Sequence, residues 1–467
     1  MTDSKKNKKS GRPWRDNIEA VTMAIIMAVF LKYFIIEAYK IPTGSMQPTL
    51  MGATFDDSGK GIFDRILVDK LSYHFRDPVR WEIVVFKYPL DRSKNFIKRI
   101  CGMPDEELKI ENGDLFARKD ESEPYRVLRR PRPIQREILK RLDMECNWRV
   151  QPGSKGWTVD GSELVAEGPG AAVFPRTSPY VKDLHHDGYP GTMVSKLRRT
   201  ARSSGEHRVG DLRIDGEVEA RAECTAVLFQ FKEGTRHYEM TIPGPAAPDD
   251  ARPSIHVSDG SQSSPIEERT EFAEHPYRLR AGKNVDFGAQ NLNDLLQLEV
   301  DGEVLVRMEI PAASDQRANI TVRLEGGGAE FEDLQAYRDI YYTGDRAAVG
   351  SWKIPPDHYF MLGDNTQDSA DSREWRLVGQ RGSDGKVHFG NRRGNENPRK
   401  VTGRPAGTEV YFRDLYGERH VYLQSEIESV AGPEAPLVPR ALITGRAILV
   451  FWPIVPSLDV YRLKWIH

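Results

Sequence analysis

Residues 18–50 read IEAVTMAIIMAVFLKYFIIEAYKIPTGSMQPTL, and this stretch decides the architecture. Its first part, Ile18–Tyr39, is mostly apolar and has about the 20 residues that a helix needs to cross a bilayer. Lys32 and Glu37 interrupt it near the far end, where a lysine snorkels and a carboxylate reaches the interface. Lys5, Lys6, Lys8, Lys9, Arg12 and Arg15 precede it against Asp3 and Asp16. A cleaved secretory signal would need a small-residue site after the apolar core, and YKIPTGSM offers no clean one. A buried core helix is a further alternative, but an uncleaved anchor fits best. The positive-inside bias then keeps the basic tail in the cytoplasm and delivers everything after Lys40 to the outer side.

The rest of the 467-residue chain dilutes that segment, so the mean hydropathy is −0.56. A net charge of −2 argues against a protein that coats nucleic acid, which needs a broad basic footprint. Cys101, Cys146 and Cys224 are too few and too widely spaced for a disulfide scaffold or a CxxC pair.

In the second part, Ile41–Leu50, two prolines and a glycine bracket Ser45 and favour a fixed loop that presents its hydroxyl. Taken alone, a serine in this setting is a turn residue. To become a nucleophile it needs a base. None of the eleven histidines stands in a recognisable triad motif, and His185-His186 lies in a polar stretch. A lysine serves only where desolvation lowers its pKa, which calls for an apolar strand. Asn95-Phe96-Ile97-Lys98-Arg99-Ile100 is such a segment, and alternation places Phe96, Lys98 and Ile100 on one face, opposite Ile97 and Arg99. Further on, Gly363-Asp364-Asn365-Thr366-Gln367-Asp368-Ser369-Ala370-Asp371-Ser372-Arg373 follows a hydrophobic strand end. It reads as a structured polar loop in which Asp371 and Arg373 can pair.

Together these segments resemble the bacterial type I signal peptidase (leader peptidase) family of membrane-anchored serine endopeptidases. IPTGSMQPTL is similar to its nucleophile box, Phe63–Tyr73 and Arg80–Pro89 to the next strands, Asn95–Phe116 to the lysine box, and GDNTQDSADSR to the final box. The resemblance implies Ser45 as nucleophile and Lys98 as general base, with Ser369 orienting the amine. It implies an oxyanion hole from the Thr43 hydroxyl and the Ser45 N–H, and support from Asp364, Asp371 and Arg373. Tyr39, Ile41, Met46, Leu50, Phe96 and Ile97 would line a pocket for small side chains at the cleavage site. It further implies no metal and no cofactor, exported preproteins as substrates, and the bilayer and the secretion machinery as neighbours, with no nucleic acid. The chain departs from the family at Thr366-Gln367, where an Arg-Asp type pair is commoner, and this bears on the packing of the loop more than on catalysis.

More than half the chain separates Phe116 from Gly363. A basic, Pro-rich stretch leads into a helical pattern over Ile134–Leu142, and from Trp148 onward the pattern turns to period two. Hairpin signals stand at Lys232–Arg236 and Asp301-Gly302-Glu303. This run predicts an antiparallel β-sandwich and is similar, more vaguely, to concanavalin A-like (laminin G-like) jelly rolls, a group that often binds glycans. The ligand here, glycan or protein, is not legible, and Trp148, Trp157 and Tyr238 read as core.

The expected fold class is therefore mainly β, with an N-terminal transmembrane helix and a β-rich peptidase core interrupted by the sandwich. The expected divisions are 1–17 cytoplasmic tail, 18–39 anchor, 40–120 first part of the core, 121–145 linker with a short helix, 146–345 sandwich and 346–467 second part of the core. Gly379–Pro436 reads as surface excursions and Ile443–Pro453 as a closing strand, with Phe451, Trp452 and Trp465 in the core. The competing reading is an inactive or repurposed homologue that acts through its sandwich as a glycan- or protein-binding module. A soluble self-cleaving regulator with the same chemistry is disfavoured by the anchor.

Overall fold

The computed structural model describes residues 13–467 except 53, 57–60, 143–147, 177, 179, 184–196, 199–206, 262–265, 314–315, 345–349, 383, 392–398, 401–408, 433–436 and 457–459. Most of the basic tail, Cys146 and the His185-His186 pair lie outside the described residues.

The first helix, Pro13–Phe30, continues through one π-helical turn, Leu31–Ile35, and ends as the chain becomes the strand Ile36–Lys40. Asn17–Ile35 is long and apolar enough to cross a membrane, with a mean hydropathy of 2.0 and none of its surface buried. The helical span is thus shorter than the apolar run in the sequence. Ile36–Tyr39 instead pairs with Asp69–Ile66, where sheet hydrogen bonds replace helical ones, and Glu37 meets Lys70 at 3.3 Å.

The main sheet is antiparallel and built from both ends of the sequence. Its order is Ile36–Lys40, Arg65–Asp69, Ile443–Trp452, Ile83–Tyr88, Asp91–Gly102, His358–Leu362 and Val438–Pro439. The closing strand therefore sits between two strands of the first part, and neither part completes the sheet without the other. One face buries Ile41, Met46, Leu50, Ile66, Val68, Ile83, Val85 and Val450. The other buries Val84, Phe86, Tyr88, Ile100, Met361 and Trp375. A smaller sheet, Ser351–Ile354, Glu106–Glu111, Asp114–Arg118 and Arg126–Val127, again joins the two parts.

The inserted region is an antiparallel sandwich of an eight-stranded and a seven-stranded sheet around one large core. Phe229 of one sheet stacks on Phe287 of the other at 4.4 Å, and Trp148, Trp157 and Tyr238 are buried there. Both hairpin signals hold. Cys224–Glu233 turns into Arg236–Pro243, and Leu295–Val300 turns into Glu303–Glu309 through Asp301 (φ 48°) and Gly302 (φ 81°).

The segment 121–145 does more than link. Its helix spans Arg132–Ile138, starting behind Pro131 and ending where Leu139 turns extended. Lys140–Arg141 then joins the sandwich sheet. The helix bridges the two cores: Ile138 is buried with Trp81, Cys101, Ile340 and Tyr342, while Arg132 and Arg136 reach Glu299 of the sandwich at 2.7 and 3.1 Å. Two sequence expectations are corrected in the second part. Gly379–Pro436 forms two small sheets rather than loose excursions, Leu377–Arg381 with Val387–Asn391 and Glu428–Ala431, and Glu409–Arg413 with Arg399–Lys400 and Arg419–Leu423. Trp452 and Trp465 are 39% and 66% exposed rather than buried in the core, although the short strand Lys464–Trp465 pairs with the closing strand at Leu449–Val450.

Candidate active site

Ser45 lies in the tight loop after the first strand of the main sheet. Leu50 N–H donates to Met46 O, and Gln47 N–H to Gly44 O. Asp64 holds the far end of the loop by accepting from Met51 N–H at 2.8 Å and from Arg462, which also reaches Thr49 O. Lys98 stands on the long strand Asp91–Gly102, opposite Val84, on the face that carries Phe96 and Ile100, as alternation predicts. Its amine donates to Ser45 Oγ at 2.7 Å, and both residues are buried. Two residues 53 positions apart thus meet because the strand and the loop pack together.

The loop after His358–Leu362 closes the site from the other side. Asn365 N–H donates to Ser45 O at 3.2 Å, and Asn365 Nδ2 to Gly44 O at 3.1 Å. Gly363 is needed here: a Cβ would fall on the Ser45 carbonyl oxygen and the Ser369 hydroxyl. Ser369 is buried beside the Asp371 carboxylate, which it helps keep ionised.

Two buried ion pairs frame the loop. Asp371 is gripped by Arg373 through Nε and Nη2 at 2.8 and 2.7 Å, and it also accepts from Gly363 N–H. Asp364 is gripped by Arg99 at 2.8 Å on each oxygen and accepts from Thr49 Oγ1 at 2.6 Å. Burial pushes both carboxyls upward, but the facing arginines more than offset it and hold them below the usual carboxylate range.

Of the pocket residues expected from sequence, Tyr39, Ile41, Met46, Leu50 and Ile97 gather in one apolar cluster. Phe96 does not join them. It faces the other side of the sheet, stacked on Tyr88 at 4.1 Å and edge-on to Trp375 at 6.2 Å. Thr43 is exposed on the loop just before Ser45. The sequence reading missed Arg99 and Asn365 as parts of the site. Adjacency to Lys98 was the one available signal for Arg99, and the Gly-Asp-Asn turn the one for Asn365. A separate cluster, His388, Asp414 and His420, brings metal-type donor atoms within 4.8 Å of one another. Its imidazoles stack at 3.8 Å, and His420 Nε2 faces Asp414 Oδ2 at 2.9 Å.

The signal peptidase, peptidase S26, family pattern matches residues 14–154 and 298–390, half of the chain, and skips much of the sandwich. A probable signal peptidase I-2 of Synechocystis sp. is 37% identical over 121 residues, 25% of this chain and 50% of that protein. The signal peptidase I of Pseudomonas aeruginosa is 30% identical over 159 residues, 29% of this chain and 52% of the other. The chain spans about half the length of the curated relatives it matches. Among solved structures, a carbohydrate-binding module from Bacillus subtilis is 11% identical with a TM-score of 0.23, covering 41% of this chain and 95% of its own. A likeness of that size says nothing about a ligand. The matched segments contain the serine loop, the lysine strand and the Gly-Asp-Asn loop in order, and the chain belongs to the signal peptidase S26 family.

Proposed function

We propose that the protein is a membrane-bound signal peptidase that removes N-terminal signal peptides from exported preproteins by a Ser45–Lys98 dyad. The observation that carries this reading is the buried 2.7 Å contact between Lys98 Nζ and Ser45 Oγ. A neutral Lys98 amine takes the Ser45 proton as Oγ attacks the scissile carbonyl, and the resulting ammonium protonates the leaving amine. The Ser45 N–H and the Thr43 hydroxyl receive the oxyanion, a type of donor worth about 10²–10³ in rate each. Lys98 next activates water against the acyl-enzyme. Ser369 orients the amine, and Asp364, Asp371 and Arg373 hold the loop beneath it. The apolar cluster around Ile41, Met46 and Leu50 favours cleavage after small side chains. Asn17–Ile35 anchors the chain, with the basic N-terminus in the cytoplasm and the site on the outer side.

The test is cleavage of a preprotein bearing an Ala-X-Ala site by the full chain in vesicles. Ser45→Ala and Lys98→Ala are each expected to lose at least ~10³-fold in kcat. Cleavage that survives both substitutions overturns the dyad.

A further inference from the structure

The Gly363–Arg373 loop is tied to the inserted region as well as to the peptidase core. Thr366 Oγ1 donates to Tyr341 O at 2.8 Å, and Arg373 Nη1 donates to Thr343 O and Oγ1 at 2.9 and 3.0 Å. Gln367 Nε2 donates to Asp183 Oδ2 at 2.6 Å and also to the Asp183 carbonyl. Thr366 and Gln367 are the two positions where the chain departs from the family's usual pair.

Asp183 is in turn set by the sandwich. Its carboxylate is 2% exposed, accepts from His207 N–H at 2.7 Å and faces His207 Nδ1 at 2.8 Å. The His207 ring stacks on Tyr341 at 5.0 Å, which closes a ring of contacts around the loop. Val181 N–H donates to Ala318 O, Val209 N–H to Val181 O, and Val181 is buried in the sandwich core. Through these bonds the sandwich core fixes Asp183, Asp183 fixes Gln367, and Gln367 stands two residues before Ser369.

We propose that Asp183, acting through Gln367, is a positioning residue for the peptidase reaction, so that the inserted sandwich holds the loop that carries Ser369 against Lys98. This rests on the Ser45–Lys98 reading. Ser369 is buried on the same loop, beside the Asp371 carboxylate that it helps keep ionised, so its distance from the amine follows the loop. Displacements of about 1 Å in such a group cost up to ~10²-fold in rate.

The test uses the full chain in vesicles with the same preprotein, at a temperature well below unfolding. Gln367→Met keeps the volume and removes the donor. Asp183→Asn keeps the acceptor for His207 N–H and sets a donor against Gln367. Each is expected to lower kcat about 10-fold with KM within about twofold, and the double variant to be no worse than the poorer single one. Gln367→Lys, which restores a donor toward Asp183, is expected to recover most of the rate. A wild-type kcat in folded Gln367→Met, or a rise in KM alone, overturns the proposal. So does failure of Gln367→Lys to recover any rate, which would indicate a merely structural contact. Should Asp183→Asn not fold, the Gln367 pair decides alone. Ser45→Ala in parallel separates the two readings: if it stays active, the dyad falls. If it is dead while Gln367→Met is unimpaired, only the positioning role falls.

Discussion

Two sets of buried aspartates in this molecule have opposite electrostatics. In the Gly-Asp-Asn loop, Asp364 and Asp371 each face a bidentate arginine and are held ionised. At the seam between sandwich and core, Asp114, Asp211 and Asp339 instead converge on the single Asn293 amide, at 2.8, 3.1 and 3.2 Å. Among the described residues, Asp339 alone of the three forms an ion pair with an arginine, Arg130 at 2.9 Å. Burial, with Asp294 and Asp339 adding to it, pushes Asp114 up to about 7, and burial with the Asp114 charge raises Asp211 as well. One amide nitrogen brings two hydrogens to three carboxyls, so a bound proton completes the set. Burial is common to both regions, and the facing partner decides which charge state is stable. The loop under the site is thereby built from permanent charges, while at the seam burial favours the protonated forms of Asp114 and Asp211.

The largest effect expected from this contrast is at Arg99. Arg99→Met leaves Asp364 buried and unpaired, and should cost about 3–5 kcal/mol in urea denaturation together with the cleavage activity. A loss under about 1 kcal/mol would mean that Asp364 is not held as a fixed charge.

The seam should respond in the other direction. A carboxyl whose pKa is raised in the folded state favours folding at acid pH, and that stability drains away as pH climbs from about 4 toward about 7. Asp364 and Asp371, with lowered values, do the reverse and lose their contribution only as pH falls below the usual carboxylate range. Asp114→Asn keeps an acceptor for Asn293 and should stabilise the protein by on the order of 2 kcal/mol at pH 8, with no gain below about pH 4. Equal effects at both pH values would remove the contrast between the two regions.

The smallest effect belongs to the sandwich hairpin. Gly302 has φ +81° and open space around a Cβ, so Gly302→Ala adds only backbone strain, about 1 kcal/mol in thermal unfolding. Turnover per folded molecule should stay at the wild-type rate. A fall in turnover would show that the sandwich acts on the loop by more than the Asp183–Gln367 bond.

Much of the local structure was legible in the residues. The apolar run predicts the first helix, alternation places Lys98 on the face with Phe96 and Ile100, and Asp-Gly marks the turn at 301–302. The boxes around Ser45, Lys98 and Ser369 could be read by resemblance. Less visible was the end of the helix at Ile35, because an apolar side chain suits a membrane helix and a sheet equally well and only the pairing with Arg65–Asp69 selects the strand. Phe96 entered the pocket through the resemblance alone; alternation already sets it opposite Ile97, and the structure follows the alternation.

The sequence by itself determined what depends on neighbours along the chain: the period of each element, its turns, and the presence of a serine and a lysine suited to one reaction. The tertiary structure decided every pairing across long separations. It slots Ile443–Trp452 between two strands of the first part, sets Arg99 on Asp364 across 265 positions, and brings Gln367 to Asp183 across 184. Such partners are selected by burial, since a charge or donor removed from water must be met by whatever group the packing brings within reach, and no local pattern encodes which group that will be.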